Sequence, residues 1–193
     1  MSRKIDQILV IDVEATCWQG KPPPGQESEI IEIGVCLLDC RSHDAVKTES
    51  ILVKPARSTV SEFCTELTTL TQEQVDQGMS FAQACERLQK RYLSHQRVWA
   101  SYGEYDKNQF QKQCQSFGVE YPFDSRHINV KTLFALAHSL QKEVGMLKAL
   151  FLLKLSLQGT HHRGVDDAAN IGRILSQLLW HQDRRFNRSL DLD

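Results

Sequence analysis

Apolar positions along the chain follow two rhythms, and the change from one to the other outlines the fold. Ile8, Leu9, Val10 and Ile11 are continuous and rich in β-branched residues. That pattern predicts a strand over Gln7–Glu14, buried on both faces. Pro22, Pro23, Pro24 and Gly25 forbid regular structure in the loop that follows. Further strands are expected at about Glu29–Leu38 and Val46–Val53, the second closing before Pro55, with polar Asp39–Asp44 as a hairpin connection. The rhythm then becomes helical. Ser80 with Gln83 three residues later forms a capping box, and Phe81, Ala84, Cys85, Leu88 and Tyr92 share one face. A short strand is expected at Arg97–Tyr102, a helix at Lys107–Phe117 stopped by Gly118, and a last strand at His127–Val130. Helices at Lys131–Leu140, Met146–Leu153 and Val165–His181 complete the chain, the last with Ile171, Ile174, Leu175, Leu178 and Leu179 at helical spacing.

This order implies an α/β domain with one mixed sheet flanked by helices. The 193 residues fit a single domain, expected over 1–182, followed by a charged tail at 183–193 that frays. A domain of this size buries roughly 70% of its unfolded surface, so its core needs neither disulfides nor a structural metal. Apolar runs reach about five residues, as at Ala149–Leu153, far below the ~18 that cross a bilayer. The N-terminus carries no signal-peptide pattern, and the expected location is the cytoplasm. Six cysteines form no C-x-x-C pair and read as buried free thiols. The lack of a pair of Cys or His knuckles disfavours a zinc site. The formal net charge of −1 counts mildly against nucleic-acid binding, unless divalent cations supply positive charge locally.

Three clusters carry chemistry. Asp12 and Glu14 end the first strand, and the period of two points both carboxylates to one face. Either the strand has reached solvent there, or something cationic meets the pair, and hard divalent ions with oxygen ligands suit it. Asp167 opens the last helix within about 40° of the apolar stripe, whereas Asp166 is rotated roughly 100° away toward solvent or a cap. The helix N-terminus favours the ionised form of Asp167. His162 stands five residues earlier, with Gly164 allowing a tight bend, and is a candidate general base. His161 is the alternative base. Asp106 follows a strand end at Gly103 and reads locally as a helix cap, at the edge where α/β sheets place ligands.

An acid-x-acid strand end, a later strand-end acid and a helix opening with H-x-x-x-x-D together resemble the DEDDh family of 3′–5′ exonucleases. The histidine marks the "h" subclass, since the sister subclass has tyrosine in that region. The resemblance covers about Ile8 to Leu179 and is closer still to the Eri-type branch. It is carried by Asp12-Val13-Glu14-Ala15-Thr16-Cys17, Glu29-Ile30-Ile31-Glu32, Phe63-Cys64-Thr65-Glu66-Leu67-Thr68 and Gly164-Val165-Asp166-Asp167. It implies an RNase H-like fold with a mixed five-stranded sheet. It also implies catalysis by Asp12, Glu14, Asp106, His162 and Asp167, with the four acids holding two Mg²⁺ or Mn²⁺ ions and His162 as base.

By the same resemblance, Ala15 and Thr16 border the terminal nucleotide, Leu70 packs on its base, and Tyr105 takes the place of a tryptophan and stacks on base or sugar. Thr69 departs from the glycine frequent in relatives, so the pocket floor is expected to differ. The N-terminal nucleic-acid-binding domain of some animal relatives is not expected in a chain of this length, so stem-loop recognition is not carried over. The expected partners are single-stranded RNA or DNA 3′ ends, RNA preferred, with no membrane. A DNA-directed exonuclease of the same fold is the alternative. A catalytically silent nucleic-acid-binding module and a small-molecule phosphoesterase are the competing classes.

Overall fold

The computed structural model describes residues 4–180. Five strands lie in the order β3-β2-β1-β4-β5. They are β1 (Lys4–Ala15), β2 (Ile30–Asp39), β3 (Ala45–Leu52), β4 (Arg97–Ser101) and β5 (His127–Asn129). The first three form an antiparallel meander, whereas β4 pairs parallel to β1 and β5 parallel to β4. The expected mixed sheet is therefore present. Seven helices accompany it among the described residues: α1 (Glu62–Thr68), α2 (Gln72–Asp76), α3 (Phe81–Tyr92), α4 (Tyr105–Phe117), α5 (Val130–Ala137), α6 (Met146–Leu152) and α7 (Gly164–Trp180). The expected C-terminal tail lies outside the described residues.

The central strand explains the layers. Leu9, Ile11 and Val13 face one side and pack with Phe81, Leu88 and Phe110 of α3 and α4. Ile8 and Val10 face the other and pack with Phe134, Ala149, Ile171, Ile174 and Leu175 of α5, α6 and α7. Asp12 and Glu14 continue the second set, so the acids extend the face that α7 covers. That helix lies unusually close to the sheet. A Cβ on Gly34 would fall 1.8 Å from the Gly164 carbonyl oxygen, and one on Gly172 would fall 2.8 Å from Cys36 Sγ. Because Gly34 is the β2 partner of Asp12, this contact brings the start of α7 beside the acidic end of β1.

Most predicted boundaries agree to within three residues, and α3 has the expected capping box between Ser80 and Gln83. Two helices were not expected. α1 is seven residues long, capped by Ser61 and closed by Thr69 in a left-handed conformation, and α2 is five residues long with a capping box at Thr71. Neither is long enough to set up a helical rhythm. The six cysteines are free, four of them buried. No helix among the described residues is long and apolar enough to cross a membrane.

Candidate active site

β1 runs to Ala15, but its pairing with β4 ends at Val10. The amide of Val13 is thus left beyond the ladder, inside the protein, where an unpaired donor is expensive. Asp106 supplies the acceptor: its Oδ1 takes the Val13 N–H at 2.9 Å. This corrects the reading of Asp106 as a cap. Glu104 occupies the N-cap position of α4, and Asp106 lies in the first turn, 3% exposed. It fastens the acidic end of β1 to the start of α4.

The opposite wall is the turn before α7. The expected bend at Gly164 is made instead by His162, which has a left-handed φ of 65°. Gly164 is needed for a different reason, since a Cβ there would lie 3.0 Å from Gly34 N and 3.2 Å from Asp12 O. Fully buried Glu32 holds this turn, accepting from the Gly164 amide at 2.9 Å, from the Arg163 guanidinium and from the Ser50 hydroxyl. Arg163 also reaches Thr69 Oγ1 at 3.5 Å, which ties the turn to the end of α1. Asp167 Oδ2 accepts from the His162 amide at 2.9 Å and sits 2.9 Å from His161 Nδ1. Its Oδ1 is buried and has no hydrogen-bond partner.

One carboxylate oxygen each from Asp12, Glu14 and Asp167 can be chosen so that all lie within 4.8 Å of one another. Burial pushes Glu14 up to about 8, with the charges of Asp167, Glu32 and Asp106 adding to it. Burial likewise raises Asp106 to about 7, against the hydrogen bond from Val13. Asp12 is raised by burial and by its acidic neighbours, and Asp167 by burial that outweighs its bonds to the histidines. Four acids held together at such electrostatic cost are a natural cation site. His162 is lowered from the ordinary histidine value by burial and by His161, against the charge of Asp167, and the lowering favours the uncharged ring that a general base needs.

These groups line an open cleft of about 360 Å³. Ala15 and exposed Tyr105 line it as expected, but two predicted contacts do not. Thr16 is fully buried, and its hydroxyl is taken up by Glu27 O and the Glu29 amide. Leu70 is 1% exposed in a small core with Ile31, Cys64 and Val75. The apolar wall comes from Leu67 of α1 and Met146 of α6, with Cys17 and Tyr102 beside them. Leu67 was hidden because α1 was not expected. Met146 opens a helix whose packing could not be read from its own sequence.

The exonuclease family model RNase_T matches residues 9–175. The chain belongs to the exonuclease family. The 3'-5' exoribonuclease 1 of Rattus norvegicus is 33% identical over 186 residues, covering 90% of this chain and 53% of the relative. Its Homo sapiens counterpart is 32% identical over 185 residues, covering 90% and 52%. The chain thus spans about half the length of these curated relatives. Among solved structures, the nuclease domain of 3'hExo, a DEDDh family member bound to rAMP, superposes with a TM-score of 0.82 at 30% identity, covering 93% of this chain and 94% of that one. The chain thus falls among the DEDDh 3′–5′ exonucleases of Eri type and has their RNase H-like architecture.

Proposed function

We propose that this chain is a metal-dependent 3′–5′ exonuclease that acts on single-stranded nucleic acid, RNA in preference to DNA, and releases nucleoside 5′-monophosphates. The observation that carries the proposal is the meeting of Asp12, Glu14 and Asp167 beside His162 at an open cleft. The RNA preference is supported by relatives named as exoribonucleases.

The donor set fits divalent cations: hard oxygens from separate elements, and a buried Asp167 oxygen with no partner. Asp12, Glu14, Asp106 and Asp167 would hold two Mg²⁺ or Mn²⁺ ions. When bound, such ions supply an activated water and stabilise charge on the leaving 3′-oxygen. His162 takes the proton of the attacking water. Asp106, through Val13, keeps the acidic strand end in register with α4. Ala15 and Leu67 flank the terminal nucleotide, and the exposed Tyr105 ring offers a stacking surface for its base or sugar.

The test is product analysis on 3′- and 5′-labelled single-stranded RNA and matched DNA, with Mg²⁺, Mn²⁺ or EDTA. Stepwise shortening from the 3′ end is expected, abolished by EDTA and by Asp12→Ala. His162→Asn is expected to lose ~10²–10⁴ in rate. Folded protein that leaves both RNA and DNA uncut would overturn the proposal, and equal or faster cutting of DNA would overturn the RNA preference alone.

A further inference from the structure

His161 has no part in the reaction proposed above, yet its setting is specific. Neighbouring side chains of an extended chain point to opposite sides. Here the left-handed backbone of His162 turns both rings to the same side. They stack with centroids 3.9 Å apart and planes 24° from parallel. His161 Nδ1 lies 2.9 Å from Asp167 Oδ2. One ring nitrogen from each histidine and one Asp167 oxygen lie within 4.8 Å of one another. Asp167 is 4% exposed, and its Oδ1 is sealed in without a partner, so the carboxylate still has a free ligand atom.

This set of two nitrogens and one oxygen differs in kind from the all-oxygen set of Asp12, Glu14, Asp106 and Asp167, with which it shares only Asp167. Magnesium keeps to oxygen ligands, whereas imidazole with carboxylate suits zinc. We infer that His161, His162 and Asp167 form an inhibitory zinc site that competes with the hydrolytic metals. Donors of one tetrahedral zinc ion, each ~2.0–2.2 Å from it, stand roughly 3.3–3.5 Å apart. The His161–Asp167 separation falls a few tenths of an ångström short of that. His161 has room to open it, since its side chain is 33% exposed. The chain has no pair of Cys or His knuckles, and the site arises only because the turn places adjacent histidines on one side. Zinc there would take Asp167 from the hydrolytic metals and a ring nitrogen of His162 from the attacking water.

The inhibition rests on the function proposed above, but the binding does not, so the two are measured separately. Metal-stripped protein is titrated with Zn²⁺ by calorimetry in millimolar Mg²⁺, and with Co²⁺ by visible absorption. Wild type is expected to bind one Zn²⁺ per chain and to give the intense bands of four-coordinate, nitrogen-ligated Co²⁺. His161→Gln, checked for an unchanged melting curve, is expected to bind Zn²⁺ at least tenfold more weakly, and His161→Ala likewise. Asp12→Asn is expected to keep Zn²⁺ affinity within a few-fold. In the nuclease assay, the Zn²⁺ concentration for half-inhibition should rise at least tenfold in His161→Gln, each variant being compared with its own zinc-free rate. Equal Zn²⁺ affinity in wild type and both His161 variants, loss of binding in Asp12→Asn, or only weak octahedral Co²⁺ bands would overturn the inference. Zinc binding by a chain that cuts no nucleic acid would keep the site and refute the nuclease reading instead.

Discussion

Glu14 shows what the site demands of single residues. Its folded-state value of about 8 stands above its ordinary 4.5, because burial and the neighbouring acids disfavour its charge. Between those values the unfolded chain releases this proton while the folded chain keeps it. The unfolded state then binds fewer protons, and stability falls as pH rises. The contribution is fully present below pH 4.5 and lost by pH 8. His162 works in the opposite direction, since its folded value lies below 6.5. A comparison with Glu14→Gln isolates the carboxylate. In metal-free protein, the variant is expected to melt close to wild type at pH 5 and above it at pH 8, by on the order of 5 °C. Saturating Mg²⁺ should raise the wild-type melting temperature through binding to the folded state and shrink that gap. Melting curves across pH, with EDTA or Mg²⁺, decide the matter. A gap that stays constant or closes toward pH 8 would mean that Glu14 is ionised in the metal-free fold.

Elements, rather than residues, create the close approach of α7 to the sheet. Gly34 and Gly164 meet backbone to backbone, so neither side of a clash can rotate away. Gly34→Ala is expected to destabilise the domain by about 3 kcal/mol or more, at or beyond the upper end of ordinary overpacking. Urea unfolding would measure it, and a loss under ~1 kcal/mol would show that the helix can ride outward. The same contact explains which parts of the site the sequence revealed. Asp12, Glu14 and Asp167 stand out because each falls in phase with an apolar set, Ile8 and Val10 or Ile171 and Ile174, that must face the core. Phase is local and needs no knowledge of the partner. Leu67 and Leu70 sit on or beside a seven-residue helix, too short for phase to say which faces the cleft. The Asp106–Val13 bond joins residues 93 positions apart, and Glu32 meets Gly164 across 132. No periodicity reports such pairings. The family resemblance pointed to Asp106 without the amide it satisfies, and it did not point to His161.

At the scale of the whole molecule, the proposed function requires a chain of net charge −1 to hold a polyanion. Among the described residues, most guanidinium groups are engaged with carboxylates: Arg57 with Glu27, Arg87 and Arg91 with Glu49, Arg97 with Asp6, Arg126 with Asp124 and Arg163 with Glu32. A side chain held this way is poorly placed to neutralise phosphates along a strand. Affinity should therefore concentrate at the terminal nucleotide, where bound cations, Tyr105 and Leu67 meet it, with few phosphate contacts upstream. Each phosphate neutralised on a single strand adds about −0.7 to the slope of log affinity against log salt. Two or three contacts give a slope of about −2 or shallower. The measurement is KM for single-stranded RNA against KCl concentration at saturating Mg²⁺, repeated with oligonucleotides of different length. The expected result is a shallow slope, and a KM that changes little once a few nucleotides precede the 3′ end. A slope of −5 or steeper, with KM falling steadily as the RNA lengthens, would require an extended basic track across the surface. In that case the positive charge needed for binding would not be confined to the metal-holding cleft.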